Sequence, residues 1–355
     1  MAGKDCLLVV PQIRMLCKDC NATYVWTYEF IEGKQRYTKD FKSYVFKSGI
    51  GSTVKNASEL IDRPYSTVER FFKELVMKLA PLTEAYVVKM AQDATKLILG
   101  IDDFAIRKGH NYNTGIHDLK GEAFLGIIKG RKLADLKEYI LANPQVAKLS
   151  PYAVVMDLAK QYHTFVSNVF PNAIRIADRF HVNGYIIKAL NEVRRRISKN
   201  LAPLARLKLK QHKHLLNKRN DQLSAPELKN LKTLLSYSSE LMETYEYKEA
   251  LAEWYDCSPN YESALIGLKR WLKKGHALNI PEINIALKTF ENWQAEIANY
   301  HRCCFTNGGV EGRNGKIKSL QRRRFFLPNR SYYEALIMLE CNKELYRELF
   351  YSLFH

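Results

Sequence analysis

A chain of 355 residues is too long for one ordinary hydrophobic core, and its 46 % apolar and 12 % aromatic content is enough to bury two or three. The 55 Lys and Arg outnumber the 37 Asp and Glu, leaving a formal charge of +18 that suits a polyanion, most simply nucleic acid. No apolar run reaches the roughly 18 residues of a spanning helix, MAGKDCLLVVPQIR lacks a signal-peptide core and cleavage site, and seven scattered cysteines exclude a disulfide framework. The expectation is therefore a soluble, cytoplasmic protein.

Residues 6–48 combine strand-like LLVV and TYVWTYEF with a basic run from Lys34 to Lys47. Cys17 and Cys20 form a CxxC pair, and a structural zinc takes four tetrahedral ligands. The pair is thus half of a Zn²⁺ site, with Cys6 a candidate third ligand, or else a metal-free remnant. From Val54 to Ala80 the pattern is helical. Ala57, Leu60 and Ile61 face inward on a first helix, Arg63-Pro64 breaks it, and Ser66 or Thr67 caps a second helix with Val68, Phe71, Phe72 and Leu75 inside. This matches a helix-turn-helix, whose second helix would offer Tyr65, Ser66, Thr67, Glu69 and Arg70 to the major groove of double-stranded DNA. An ordinary helical hairpin is the alternative.

LILGIDDFA, residues 97–105, is a short, turn-bounded apolar block that ends in the adjacent carboxylates Asp102 and Asp103. NYNTGIHDL and AFLGIIKG follow across Lys120-Gly121, predicting a three-stranded antiparallel meander. Then come a helix (KLADLKEYILAN), a strand ending at Asp157 (YAVVMD), a second helix (AKQYHTFVSNVF) and a strand ending at Asp178 (AIRIAD). That order belongs to a ribonuclease-H-like α/β domain with a mixed five-stranded sheet, in which the first and fourth strands are neighbours. Asp102 and Asp157 should therefore meet, with Asp178 one strand further away. Asp103 should face the opposite side and pair with a base such as Arg107. Carboxylates at buried strand ends need a compensating cation, since desolvating an unpaired charge costs several kcal/mol or more.

From about Phe180 to Tyr300 the pattern is helical, and basic residues far outnumber acidic ones over residues 181–240, Arg194, Arg195 and Arg196 among them. A phosphate-tracking surface and a solvated helix face are equally good readings. Trp254, Trp271 and Trp293 read as core anchors. Near the C-terminus, Asn307 can cap a helix from about Val310 that places Glu311, Asn314 and Lys318 on one side, followed by Arg322, Arg323 and Arg324. Alone, Glu311 reads as a surface ion-pair partner. With Asp102 and Asp157 it completes a three-acid divalent-metal site beside a phosphate backbone.

Three blocks, GIDDFAIRKGHNYNTGIHD, VVMDLAKQYHTFVSNVFPNAIRIADRFHV and TNGGVEGRNGKIKSLQRR, occur in this order. Together they resemble the DDE transposases of bacterial insertion sequences, specifically the ISL-three family. The resemblance implies a catalytic core interrupted by a mainly helical insertion, with the catalytic acids on Asp102, Asp157 and Glu311, and Asp178 and His181 as supporting elements near the site. It divides the chain into a cysteine-containing element (1–50), a helix-turn-helix (51–92), the first part of the core (93–182), the helical insertion (183–304) and the rest of the core (305–355). Two features depart from the family: Asp102-Asp103 stands where Asp-Glu is usual, and the first of two N-terminal cysteine pairs is missing.

The implied chemistry uses two Mg²⁺ or Mn²⁺ ions, hard cations that prefer carboxylate oxygens. They would cleave the phosphodiester at transposon terminal inverted repeats and join the freed 3′-OH to target DNA. Synapsis of two ends makes a homodimer the expected assembly. The alternatives are a nuclease that cuts without joining and an inactive or decayed DNA-binding regulator.

Overall fold

The structure, a computed structural model, describes residues 6–32, 35–107, 111–324 and 329–345. The chain opens with β1 (Arg14–Leu16), β2 (Thr23–Val25) and three helices, α1 (Lys39–Gly49), α2 (Val54–Ile61) and α3 (Tyr65–Asp93). Three strands follow, β3 (Ile98–Arg107), β4 (Asn111–Asp118) and β5 (Phe124–Lys129). Next are α4 (Leu133–Ala142), α5 (Pro144–Ala147), β6 (Ala153–Met156), α6 (Lys160–Val169) and β7 (Ile174–Ala177). The long helical stretch contains α7 (Arg179–Ser198), α8 (Pro203–Gln211), α9 (Lys213–Asn217), α10 (Ala225–Leu235) and α11 (Ser239–Cys257). It ends with α12 (Tyr261–Ala277), α13 (Pro281–Asn292) and α14 (Gln294–Ala298), and the chain closes with α15 (Gly308–Arg323) and α16 (Arg330–Cys341).

Two compact units result: Met1–Met90 with Ala123–Gly126 and Arg313–His355, and Ala91–Glu122 with Ile127–Gly312. In the first, β1 and β2 form an antiparallel hairpin whose turn holds Cys17 and Cys20. Its strands are thus RML and TYV, and LLVV is outside them. Helix α1 takes up part of the basic run from Lys34 to Lys47, for which the sequence suggests no element. Thr38 accepts the Phe41 N–H as its cap, and Val45 and Phe46 are fully buried, Phe46 stacking on Phe72 of α3 at 5.7 Å. Lys42 is also buried, held by Glu32 and Glu74 at 2.7 Å each.

Helix α2 buries Ala57 but leaves Leu60 66 % exposed, contrary to the inward stripe expected of it, because Val54, Ala57 and Ser58 occupy its packed face. Asp62 in the left-handed region, φ 53°, ends it. Helix α3 begins at Tyr65, so Ser66 and Thr67 lie in its first turn instead of capping it, and the Pro64 carbonyl accepts the first helical N–H groups. It runs through Pro81 to Asp93, well past the expected end near Ala80. Val68, Phe71, Phe72 and Leu75 are buried as expected.

The second unit holds β4, β3, β6 and β7 of a mixed sheet of order β5-β4-β3-β6-β7. β3 pairs antiparallel with β4 and parallel with β6, which pairs parallel with β7. Strands covered on both faces read as continuous apolar runs, and all four residues of β6 are buried. Ile98, Val155 and Ile176 continue into Val182, Ile186 and Leu190 of α7 and on into α11 to α13, so sheet and helices share one core. Trp271 stacks on Tyr247 at 4.2 Å, and its indole N–H donates to the Tyr247 carbonyl at 3.2 Å. Trp254 donates likewise to Ala264. Among the described residues, no helix is long and apolar enough to cross a membrane.

Gly100, in the middle of β3, lets the start of α15 approach the sheet. A Cβ there would stand 2.7 Å from Leu119 Cδ2, 2.8 Å from Asn307 Oδ1 and 3.0 Å from Val310 Cγ2. Gly100→Ala should destabilise the protein by about 1–3 kcal/mol, the usual cost of overpacking, as measured by urea unfolding; unchanged stability would show that these neighbours can yield.

Candidate active site

The parallel register places Ile101 opposite Met156, so Asp157, the first residue after β6, comes level with Asp102; β3 does not end at its carboxylate pair but continues to Arg107. His181 arrives from the first turn of α7, directly after β7. Its Nε2 lies 2.8 Å from Asp157 Oδ1 and 4.0 Å from Asp102 Oδ1. One donor atom from each of Asp102, Asp157 and His181 falls within 4.8 Å of the others, and this is the only such cluster among the described residues.

The electrostatics mark a concentration of negative charge. Burial, then the Asp157 charge, lifts the Asp102 carboxyl to about 7. Contact with Asp157 raises the His181 imidazole to about 9, against burial that works the other way. Two carboxylates and an imidazole form a donor set that fits a divalent cation, with carboxylates favouring hard ions and imidazole the borderline ones.

Asp103 sits in a separate network. Its carboxylate accepts from the Tyr162 hydroxyl and from Thr114 Oγ1, and Arg131 Nη1 lies 3.3 Å from its Oδ2. The expected partner, Arg107, has its side chain outside the described part of the chain, and the base that pairs with Asp103 is Arg131. Burial raises the Asp103 carboxyl despite this pairing. Asp103, Asp157, His181 and Arg131 line one cleft of roughly 190 Å³.

Asp178, 2 % exposed, is absent from the metal-type cluster and does structural work. Its Oδ1 accepts the Asn307 backbone N–H at 2.9 Å, while Asn307 Nδ2 donates to the Ile101 carbonyl at 3.3 Å. The Asn307 side chain therefore ties the start of α15 to β3 and does not cap the helix. Glu311 follows one turn later, its N–H donating to the Asn307 carbonyl at 3.0 Å. Its side chain is exposed and stands outside the Asp102–Asp157–His181 cluster.

A transposase family model, of the DDE type found in ISL3 elements, matches residues 99–337. The chain belongs to the ISL3 family of DDE transposases. The transposase for insertion sequence element IS1001 of Bordetella parapertussis is 24% identical to it over 336 residues, 92% of this chain and 79% of that protein. Membership implies DNA binding, a divalent metal, and DNA cleavage with strand transfer. The mixed sheet with its many helices is consistent with the ribonuclease-H-like core of such enzymes.

The residues expected to touch DNA have varied surroundings. Ser66 and Arg70 are exposed, Arg70 lying over the Phe71 ring at 4.7 Å, while Thr67 is half-buried and the Tyr65 hydroxyl donates to Glu69. Arg195, Lys318 and Arg322 are exposed to differing degrees, Arg194 is half-buried, and Asn314 is buried. Arg196 is gripped by Glu282 and Glu240 at 2.7 and 2.9 Å. Arg323 pairs with Glu340 at 3.3 Å, and Arg324 donates to the Gly49 carbonyl and covers the Phe72 ring. Cys17 and Cys20 share one turn, where backbone N–H groups of Cys20 and Asp19 lower the Cys17 thiol, but no third donor joins them among the described residues. Sequence reasoning missed Arg131, Thr114 and Tyr162. A loop arginine and two residues of unremarkable periodicity carry no signal until the fold brings them to Asp103.

In the metal-free protein, Asp102 has a folded value above its unfolded one. Its burial therefore costs nothing below the ordinary carboxylate range and progressively more as pH rises to about 7. Asp102→Asn should raise thermal stability in EDTA, by roughly 1–3 kcal/mol at pH 8, the equivalent of one to two pKa units, and by less at pH 5. A gain that shrinks with rising pH would contradict this electrostatic account.

Proposed function

We propose that this chain is the transposase of a bacterial insertion sequence. It binds the terminal inverted repeats, hydrolyses the phosphodiester at each end, and transfers the 3′ end to target DNA. The observation that carries this reading is the meeting of Asp102, inside β3, with Asp157, just past the end of the adjacent parallel strand β6, and with His181 of α7. The start of α15 is pinned to β3 just upstream of Asp102, which supports Glu311 as the third acid.

In this reading the catalytic core is ribonuclease-H-like and comprises residues 93–182 and 305–355. The helical stretch from 183 to 304 is an insertion, and residues 51–92 form a helix-turn-helix that reads the terminal repeat. Residues 1–50 are a cysteine element in which Cys17 and Cys20 supply half of a Zn²⁺ site. The protein acts in the cytoplasm as a homodimer that holds two ends together.

Asp102, Asp157 and Glu311 would hold two Mg²⁺ or Mn²⁺ ions, with His181 beside them, and bound metal supplies water activation and stabilisation of the departing 3′ oxygen. The Asp102 carboxyl, lifted to about 7, and the His181 imidazole, lifted to about 9, would each give up a proton as a cation is taken up beside Asp157, so metal affinity would rise with pH. Asp178 holds Asn307, which keeps the first turn of α15 at β3. Tyr162 and Thr114 fix Asp103 in the adjoining wall of the cleft.

Individual Asp102→Asn, Asp157→Asn and Glu311→Gln proteins should bind end DNA with near-normal affinity while cleavage in Mg²⁺ falls at least about a hundredfold, several kcal/mol of barrier. Near-normal cleavage by one variant removes that residue from the site. Cleavage of end DNA without strand transfer of a pre-cut end would identify a nuclease, and binding alone would identify a regulator.

A further inference from the structure

The geometry points to Arg131 as a substrate contact: we propose that its guanidinium grips a backbone phosphate of the DNA lying in the cleft beside Asp157 and His181. This deepens the transposase reading and rests on it.

Three features fix where Arg131 stands. Gly130 takes φ +104°, a left-handed conformation that favours glycine, and its carbonyl accepts the Thr114 hydroxyl at 2.9 Å. On the other side, the Lys132 N–H donates to Asp135 Oδ2 at 2.9 Å at the start of α4. The backbone of Arg131 is thus held between two anchored neighbours.

Its side chain is equally constrained. The guanidinium carbon lies 4.1 Å from the centre of the Tyr112 ring, a cation–π contact, and Nη1 reaches Asp103. Asp103 is itself immobilised by Tyr162, which is buried, and by Thr114. Arg131 nevertheless remains half-exposed and lines the same cleft as Asp157 and His181.

Pairing with Asp103 does not seal Arg131: half of its side chain stays open, in the lining of the cleft that also holds Asp157 and His181. A guanidinium has five donors, so it can keep Asp103 through Nη1 and still offer a fork to two phosphate oxygens. Electrostatics favour the same conclusion. Without metal, Asp103 and Asp157 in the cleft wall repel DNA, and among the described lining residues Arg131 is the cation other than the imidazole. Asp103 then serves to orient Arg131, and Tyr162 and Thr114 orient Asp103.

The test uses the full-length protein and a pre-cut duplex carrying the terminal repeat that flanks its own coding sequence. Single methylphosphonate substitutions are walked through the phosphates around the cleavage point, and affinity is read by fluorescence anisotropy. Wild type should lose about tenfold at one of these phosphates, as for a charge-assisted contact. Arg131→Ala should bind unmodified DNA about tenfold more weakly, lose nothing further at that phosphate, and keep its sensitivity at the others. Arg131→Lys should be intermediate, since an ammonium keeps the charge but not the fork.

A merely structural role would weaken Arg131→Ala binding while leaving interference at every phosphate unchanged, and that result overturns the proposal, as would wild-type affinity in Arg131→Ala. Cleavage of the uncut duplex by wild type in Mg²⁺ is measured separately. Binding with the expected interference but no cleavage would overturn the transposase reading and leave the phosphate contact standing.

Discussion

Two carboxylates, Asp102 inside β3 and Asp157 just past the end of the parallel strand β6, repel each other, and the backbone register of the sheet holds them side by side. β3 and β6 are in register through Ile101 and Met156, both buried, so any relaxation that moved Asp102 from Asp157 would break the ladder or empty the core. The protein tolerates this because most of the surrounding burial is apolar and continuous, from Val155 through Ile186 into the helical layers. What remains is a site whose charge is satisfied only partly by His181. Folding energy from a large core holds an arrangement that is locally unfavourable without a cation, and the raised Asp102 carboxyl is the sign of it.

The second constraint concerns reach. Glu311, the proposed third acid, lies far downstream of Asp157, after a long helical excursion, and no local pattern could fix its position. The residues that do so are not acids of the triad. Gly100 removes a side chain from β3, Val310 and Asn307 fill the space, and Asp178 receives the Asn307 N–H. Asp178 therefore belongs to the machinery by holding a backbone. Its burial and its hydrogen bond explain why an acid one strand away from Asp157 does not join the donor cluster.

Much of this was legible in the residues. Short apolar blocks bounded by turns locate β3, β5, β6 and β7, because strands buried on both faces tend to be continuously apolar, whereas the mostly polar β4, NYNTGIHD, is placed by the meander pattern. The meander followed by alternation places β3 beside β6. Other parts were hidden for physical reasons. Helix α1 carries Lys39, Lys42 and Lys47 and reads as a basic run, yet Lys42 is a buried ion-pair residue, a fact that depends on Glu32 and Glu74 arriving from elsewhere. Leu60 looks apolar and inward by spacing but is exposed, since a helix of eight residues needs only one narrow packed face. Sequence proximity points to Arg107 as a partner of Asp103 and gives no hint of Arg131, which the loop after β5 brings to it. His181 was readable as a supporting residue through its motif, but its 2.8 Å approach to Asp157 follows only from α7 starting immediately after β7.

The same distinction applies to the net charge of +18, which by itself suggests a broad polyanion-binding surface. Several of the cations that produce it are committed internally. Arg196 is held by two glutamates, Lys42 by two more, Arg323 by Glu340, and Arg324 by the Gly49 carbonyl and the Phe72 ring. A cation bound in this way keeps its charge but cannot leave its partner to follow a phosphate without exposing a buried or paired acid. Among the described residues, Arg70, Arg195, Lys318 and Arg322 carry no such obligation to a carboxylate and lie on helix surfaces. Counterion release on binding DNA scales with phosphates neutralised and not with formal charge. The salt dependence of DNA binding should therefore reflect this smaller exposed set, together with any cleft cation such as Arg131 that is anchored for contact and still open to solvent.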